Sequence, residues 1–171
     1  MAKSVGCARM TSFRLHPARS AADMARAAAL FRAYADALDV DLCFQGFDEE
    51  LATLPGNYAP PKGELLLALA PDDTALGCVA LRPLDAPGLC EMKRLYVEDA
   101  ARGLGLGRAL IAAIIAAAEA RGFAEMRLDS LPSMHAALAL YRRFGFSPIE
   151  AYCFNPVPGT VYLARRLAPP R

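Results

Sequence analysis

The sequence predicts a mixed α/β (α+β) fold, with one mostly antiparallel sheet of six to seven strands and helices on both faces. Three observations predict it. Short apolar runs with strand character alternate with longer runs of helical spacing, in the order β-α-α-β-β-β-α-β-α-β-β. The breaks between them fall on Gly, Pro and Asp. One stretch, Cys90 to Arg108 (CEMKRLYVEDAARGLGLGR), passes from an apolar strand through an acidic turn into a glycine-rich loop that opens a helix.

Taken in order, Met10 to Leu15 reads as a first strand ended by His16-Pro17. Ser20 is the N-cap of a helix to about Leu38, because Met24, Ala27, Phe31, Tyr34 and Leu38 recur at three- and four-residue spacing. A shorter helix covers Asp48 to Leu54 and stops at Pro55-Gly56. Glu64 to Ala70 and Ala75 to Arg82 form a hairpin about Asp72-Asp73. Glu91 to Val97 is the central strand, rich in types that suit a buried pleated surface. Arg108 to Arg121 is a helix with Gly122 at C′. Glu125 to Leu131 is the next strand. Ser133 to Phe144 is a helix, with Ser130 or Ser133 as its cap and Gly145 at its end. Phe146 to Phe154 and Val161 to Leu167 are the last strands.

The 171 residues fit a single domain, residues 1–171, long enough for a real core. A chain 55% hydrophobic and 22% charged is globular in composition. A net charge of +1 gives no global attraction to nucleic acid or anionic membrane. Five scattered cysteines without C-x-x-C spacing, and two histidines, point to neither a metal site nor a disulfide framework. No apolar targeting segment stands between Met1 and Arg19, and no apolar run is long enough to span a membrane. The expectation is a cytoplasmic protein, monomer or homodimer, with no metal.

The loop Arg102-Gly103-Leu104-Gly105-Leu106-Gly107-Arg108 points to an anion. The first N–H groups of a helix lack partners and carry the positive end of its dipole. Glycine lets a phosphate approach them, and two arginines bracket the loop. The alternative is a tight strand-to-helix turn that merely needs glycine. The spacing fits neither a Walker A loop, since Arg108-Ala109 follows Gly107, nor G-x-G-x-x-G.

Arg102 to Gly107 resembles the Q/R-x-x-G-x-G/A motif of the GNAT superfamily, the Gcn5-related N-acetyltransferases. Ala137 to Phe146 (ALALYRRFGF) is similar to that family's A-x-x-L-Y-x-x-x-G-F segment. Two motifs in order, about 35 residues apart, are more specific than either alone. The resemblance covers about residues 65–167, the expected cofactor-binding core. It implies a sheet splayed between strands 4 and 5, acetyl-CoA as co-substrate, and acyl transfer to an amine acceptor.

It also implies roles. The amides of Leu104 to Arg108 would hold the pyrophosphate, and the backbone of Leu95, Tyr96 and Val97 the pantetheine arm. Tyr141 matches the tyrosine that protonates the departing thiolate, against a reading as a core residue. Glu91 stands where many members place a base; its other reading is an ion-pair partner of Lys93, Arg94 or Arg127, and Asp129 competes for the role. Where the family often has asparagine this chain has Met134, so Ser133 or a backbone group substitutes as the cofactor contact, or the contact is absent. Phe44, Gln45 and Asn155 are the acceptor-groove candidates. The expected function is acetyl-CoA-dependent N-acetyl transfer; the alternative is a catalytically silent acyl-CoA-binding domain of the same fold.

Overall fold

The computed structural model describes residues 12–38 and 40–170, apart from the Phe44 side chain. Seven strands form one sheet in the order β1-β2-β3-β4-β5-β7-β6. The strands are β1 (Arg14–Pro17), β2 (Glu64–Leu69), β3 (Ala75–Pro83), β4 (Leu89–Val97), β5 (Glu125–Ser130), β6 (Ser147–Pro148) and β7 (Val161–Arg166). The helices are α1 (Ala21–Leu38), α2 (Phe47–Ala52), α3 (Leu106–Ala120) and α4 (His135–Arg143). Every strand pairing is antiparallel except β4 with β5.

The two faces of the sheet are both buried, and β2 shows how. Leu65, Leu67 and Leu69 face Ala27, Leu30 and Phe31 of α1. Leu66 and Ala68 face the other way, toward Leu110, Ile111 and Ile114 of α3. A strand covered on both sides reads as a continuous apolar run, which is what ELLLAL is. One carboxylate joins the layers: Glu64 accepts from Arg19 before α1, at 2.7 and 2.9 Å, and from Arg121 after α3, at 2.6 Å.

The start of α1 follows the sequence. The Ser20 hydroxyl accepts from the Asp23 amide at 3.1 Å, and the Asp23 carboxylate accepts from the Ser20 amide at 3.0 Å, a reciprocal cap. Asp23 also receives the Arg19 amide and lies beside His16. Burial opposes its charge, but these hydrogen bonds win and hold the carboxyl well below the usual carboxylate range. A depressed folded pKa stabilises above the unfolded pKa, near pH 4, and is lost on acidification. Asp23→Ala is therefore expected to lose about 1–2 kcal/mol at pH 7 in urea unfolding, with the difference from the unsubstituted protein shrinking below pH 4. An unchanged midpoint at pH 7 contradicts the capping role.

Several boundaries differ from expectation. β1 reaches Pro17 rather than stopping before it; an edge strand tolerates a missing N–H. The expected strand residues Met10 and Thr11 lie outside the described residues. Helix α3 opens at Leu106, two residues early, with Gly105 as its N-cap. Helix α4 opens at His135 with Met134 in the cap position and no side-chain cap, so neither Ser130 nor Ser133 serves. The expected strand over Phe146 to Phe154 is only Ser147–Pro148. After a last backbone bond from Ile149 to Tyr162 the chain leaves the ladder and is held instead by Tyr152 and Asn155 side chains reaching into the sheet.

Candidate active site

Strands β4 and β5 pair only at Leu89, Cys90 and Glu91, opposite Glu125, Met126 and Arg127. Beyond these pairs the strands separate, so β4 from Met92 to Val97 has no neighbour on that side. The cause of the separation includes a bulge. Ala80 pairs with Lys93 and Cys78 with Tyr96, so β4 carries one extra residue, and Arg94 takes a left-handed φ of 58°. The cleft that opens there is lined by Leu95, Lys93 and Arg94 of β4, Asp129 of β5, Tyr141 of α4 and Tyr34 of α1.

Arg94 explains why a non-glycine residue holds that conformation. Its guanidinium donates to both oxygens of Glu50 at 3.0 and 2.6 Å and to Gln45 at 2.9 Å. It lies 5.2 Å from the Phe47 ring and 5.8 Å from Tyr34. Tyr58 donates to Glu50 at 2.7 Å. The bulge therefore aims a buried cation at Glu50 of α2 and at Gln45 of the turn Cys43–Gln45, and Gln45 lines one side of the cleft.

At the end of β4 the chain turns through Asp99–Ala101 into the glycine loop. Gly103 and Gly105 have φ of 84° and 78°, and Gly105 caps α3 without any side-chain partner. The first helical bond runs from the Ala109 amide to Gly105. Among the described residues, the consecutive amides from Gly103 to Arg108 have no acceptor. A Cβ on Gly103 or Gly105 would meet nothing within 4 Å, while one on Gly107 would touch Leu140 at an ordinary 3.4 Å. The first two glycines are thus fixed by backbone angle; the third tolerates alanine, as the G/A position of the motif does. Leu106 is buried and Leu104 half-buried against the core, while Arg102 and Arg108 are exposed, Arg102 paired with Asp99 at 2.7 Å.

Tyr141 is buried against Phe146, with ring centroids 5.9 Å apart. Its hydroxyl has no hydrogen-bond partner among the described residues, yet it is not a sealed unsatisfied group, so it opens on the cleft. Burial, with Tyr34 and Asp129 nearby, pushes its pKa up, and the phenol stays protonated through neutral pH.

Glu91 is fully buried behind the cleft wall. Arg82 Nε donates to one oxygen at 2.6 Å and the Tyr152 hydroxyl to the other at 2.8 Å. Asp129 lines the cleft itself and accepts from Asn155 Nδ2 at 2.8 Å. Lys93 Nζ stands 3.8 Å from Glu91 and 3.6 Å from Asp129. The Cys153 thiol is part of this cluster, and burial with the two carboxylates pushes it up to about 11. It is therefore a poor nucleophile at neutral pH.

The cleft thus brings together Leu95, Tyr141, Gln45 and Asn155 of the sequence-selected residues, with Asp129. The glycine loop lies beyond the end of β4, past Tyr96 and Val97. Ser133 is an exposed turn residue, and Met134 lines the cleft instead. The Phe44 side chain lies outside the described residues. Sequence reasoning missed the roles of Arg94 and Tyr152. A charged pair, Lys93-Arg94, inside a central apolar strand was the available signal for the first; Tyr152 reads from the sequence as an acceptor-groove aromatic, and nothing local marks its bond to Glu91.

A sheet splayed beside a run of unpartnered helix-opening amides is the architecture of an acyl-CoA-dependent transferase. The profile of the acetyltransferase (GNAT) family matches residues 28–146. An uncharacterized N-acetyltransferase of Schizosaccharomyces pombe is 46% identical over 134 residues, covering 78% of this chain and 82% of that protein. An IAA acetyltransferase of Azospirillum brasilense is 30% identical, over 70% of this chain and 87% of its own. A GNAT-family acetyltransferase from Staphylococcus aureus superposes with a TM-score of 0.76 at 17% identity, covering 92% of this chain and 100% of its own. A phosphinothricin acetyltransferase from Sinorhizobium meliloti, solved with AcCoA, does so at 0.67 and 20%, covering 92% and 89%. The chain belongs to the acetyltransferase (GNAT) family. Its activity is N-acetyl transfer from acetyl-CoA.

Proposed function

We propose that the protein, as a single domain, transfers the acetyl group directly from acetyl-CoA to a primary amine of a small molecule or protein in the cytoplasm, as a monomer or homodimer without metal or nucleic acid. The observation that carries this reading is the pairing of the free Gly103–Arg108 amides with a cleft holding both an unpartnered Tyr141 hydroxyl and the Asp129 carboxylate. The amides and the flanking arginines suit the pyrophosphate. The unpaired edge of Leu95, Tyr96 and Val97 suits the peptide-like pantetheine arm. Ser133 is left as a surface contact near the start of α4.

Acetyl-CoA supplies the acyl group as a thioester. Tyr141, protonated by burial, gives its proton to the departing sulfur. The Leu95 amide polarises the thioester carbonyl. An incoming ammonium must lose a proton, and Asp129 is the better acceptor, since it faces the cleft while both Glu91 oxygens already receive hydrogen bonds. Glu91 then acts as a positioning residue that fixes Arg82, Tyr152 and Lys93. Gln45 and Asn155 border the acceptor groove, with Phe44 next to Gln45 in sequence. Glu91, Asp129 and Cys153 bring ligand atoms within 4.8 Å of one another, but the Lys93 ammonium supplies the cation there.

The cofactor reading is tested by calorimetry on two glycine variants. Gly105→Val forces a branched side chain into a left-handed backbone and over the amides, and is expected to weaken acetyl-CoA at least about tenfold. Gly107→Ala is expected to bind as the unsubstituted protein does. Equal binding by both variants removes the loop from cofactor recognition.

A further inference from the structure

We propose that Lys93 is a self-acetylation site, taking the acetyl group from acetyl-CoA bound to its own chain when no acceptor fills the groove. The proposal rests on the reading of the cleft given above. The placement of its amine carries it. The Lys93 side chain is 9% exposed, and its Nζ lies 3.6 Å from Asp129 and 3.8 Å from Glu91. Both separations exceed hydrogen-bond length, and Nζ takes no hydrogen bond among the described residues. A primary amine with open donor positions therefore sits between the two carboxylates that are the candidates for accepting an acceptor's proton. It occupies the place that the chemistry assigns to a substrate amine, two residues before the Leu95 amide on the same strand and on the same cleft as Tyr141.

The step balances without another reagent. Lys93 loses a proton to Asp129. Its nitrogen bonds to the acetyl carbon, the carbon–sulfur bond breaks, and the sulfur takes the Tyr141 proton. The second nitrogen proton passes to the Tyr141 phenolate, which leaves a neutral amide, the CoA thiol and one proton on Asp129. The consequence is electrostatic. Arg82 and Lys93 offset Glu91 and Asp129 in the unmodified cluster. Acetylation removes one positive charge from this buried group and places an acetamide in the groove, so the modified chain is expected to be inhibited toward amines.

The sequence makes the test clean, because it holds only three lysines, Lys3, Lys62 and Lys93. Lys62 is exposed and reports simple chemical acetylation. Burial shields Lys93 from the same solution chemistry. The full chain is incubated with acetyl-CoA alone and read by intact mass and peptide mapping, while the melting temperature reports cofactor binding. The expected result is acetyl on Lys93 ahead of Lys62, slowed about 100-fold by Tyr141→Phe, absent in Lys93→Arg, and without preference for Lys93 in urea-unfolded chain. Lys62 modified while Lys93 stays free overturns the proposal. If the melting temperature rises with acetyl-CoA in that case, the cofactor reading stands and only self-acetylation fails. No rise and no Lys93 acetyl together overturn both.

Discussion

Tyr141→Phe lowers kcat by about 100- to 1,000-fold and leaves the acetyl-CoA Kd unchanged. The phenol ring packs against Phe146 and the α3 core, and phenylalanine keeps those contacts. Only the hydroxyl goes, and among the described residues it has no partner to orphan. The loss therefore falls on the transition state, where the sulfur needs a proton, and not on cofactor binding or stability. Asp129→Asn is expected to give a similar fall in kcat, whereas Glu91→Gln should raise the acceptor KM and disturb folding, since it weakens the hold on Arg82. Calorimetry with acetyl-CoA beside steady-state kinetics on any accepted amine separates these outcomes. An unchanged kcat in Tyr141→Phe removes the residue from the mechanism; a silent binding domain would show no turnover before or after the change.

Arg94→Met is the substitution expected to cost most stability, about 3–5 kcal/mol. Arg94 and Glu50 form a buried pair, and the methionine leaves the Glu50 carboxylate beside Tyr58 without its guanidinium partner. Burial works against the charge on Glu50, and Arg94 is what holds its pKa below the usual value. In the folded protein a lowered carboxylate pKa stabilises above the unfolded value and fades as pH falls through the folded one. The Arg94→Met penalty is thus expected to be largest near pH 7 and to shrink as Glu50 protonates on acidification. Adding Glu50→Gln should restore part of the loss, because the uncompensated charge is then gone. Urea unfolding of the two single variants and the double variant at pH 7 measures the coupling. Additive losses show that the two side chains do not act as a pair. The same substitution loosens the bulge in β4 and releases Gln45 at the cleft, so the acceptor KM should rise more than that of acetyl-CoA.

Much of the site was legible because it is local. A glycine loop that opens a helix needs only neighbouring residues, and the left-handed angles at Gly103 and Gly105 follow from its spacing. The continuous apolar run of β2 reports a strand covered on both sides, the three- and four-residue spacing along α1 reports which face meets the core, and both layers fall where that pattern requires. The strand expected over Phe146 to Phe154 failed for a physical reason. Its aromatic residues look like strand formers, but Tyr152 is aromatic for a different purpose: its hydroxyl reaches Glu91, and its ring meets Tyr162 and Arg127. Propensity does not distinguish a side chain that packs on a ladder from one that plugs a sheet from outside. The cap of α4 failed similarly, since the Ser130 hydroxyl turns to the Met134 sulfur instead of the helix amides.

The sequence by itself determined the element order, the two-sided burial of the sheet, the bare amides at the start of α3 and, through its two motifs, the family. Each depends on residues close in the chain, where spacing and backbone angle decide the outcome. Only the tertiary structure decided which carboxylate faces the cleft. Glu91 and Asp129 are alike as acids in a strand; they differ because Arg82 across the β3–β4 ladder and Tyr152, distant in sequence, close over the first, while the divergence of β4 from β5 leaves the second open. The same divergence sets the Lys93 amine between them, a placement no local pattern encodes, because it follows from where two strands stop pairing.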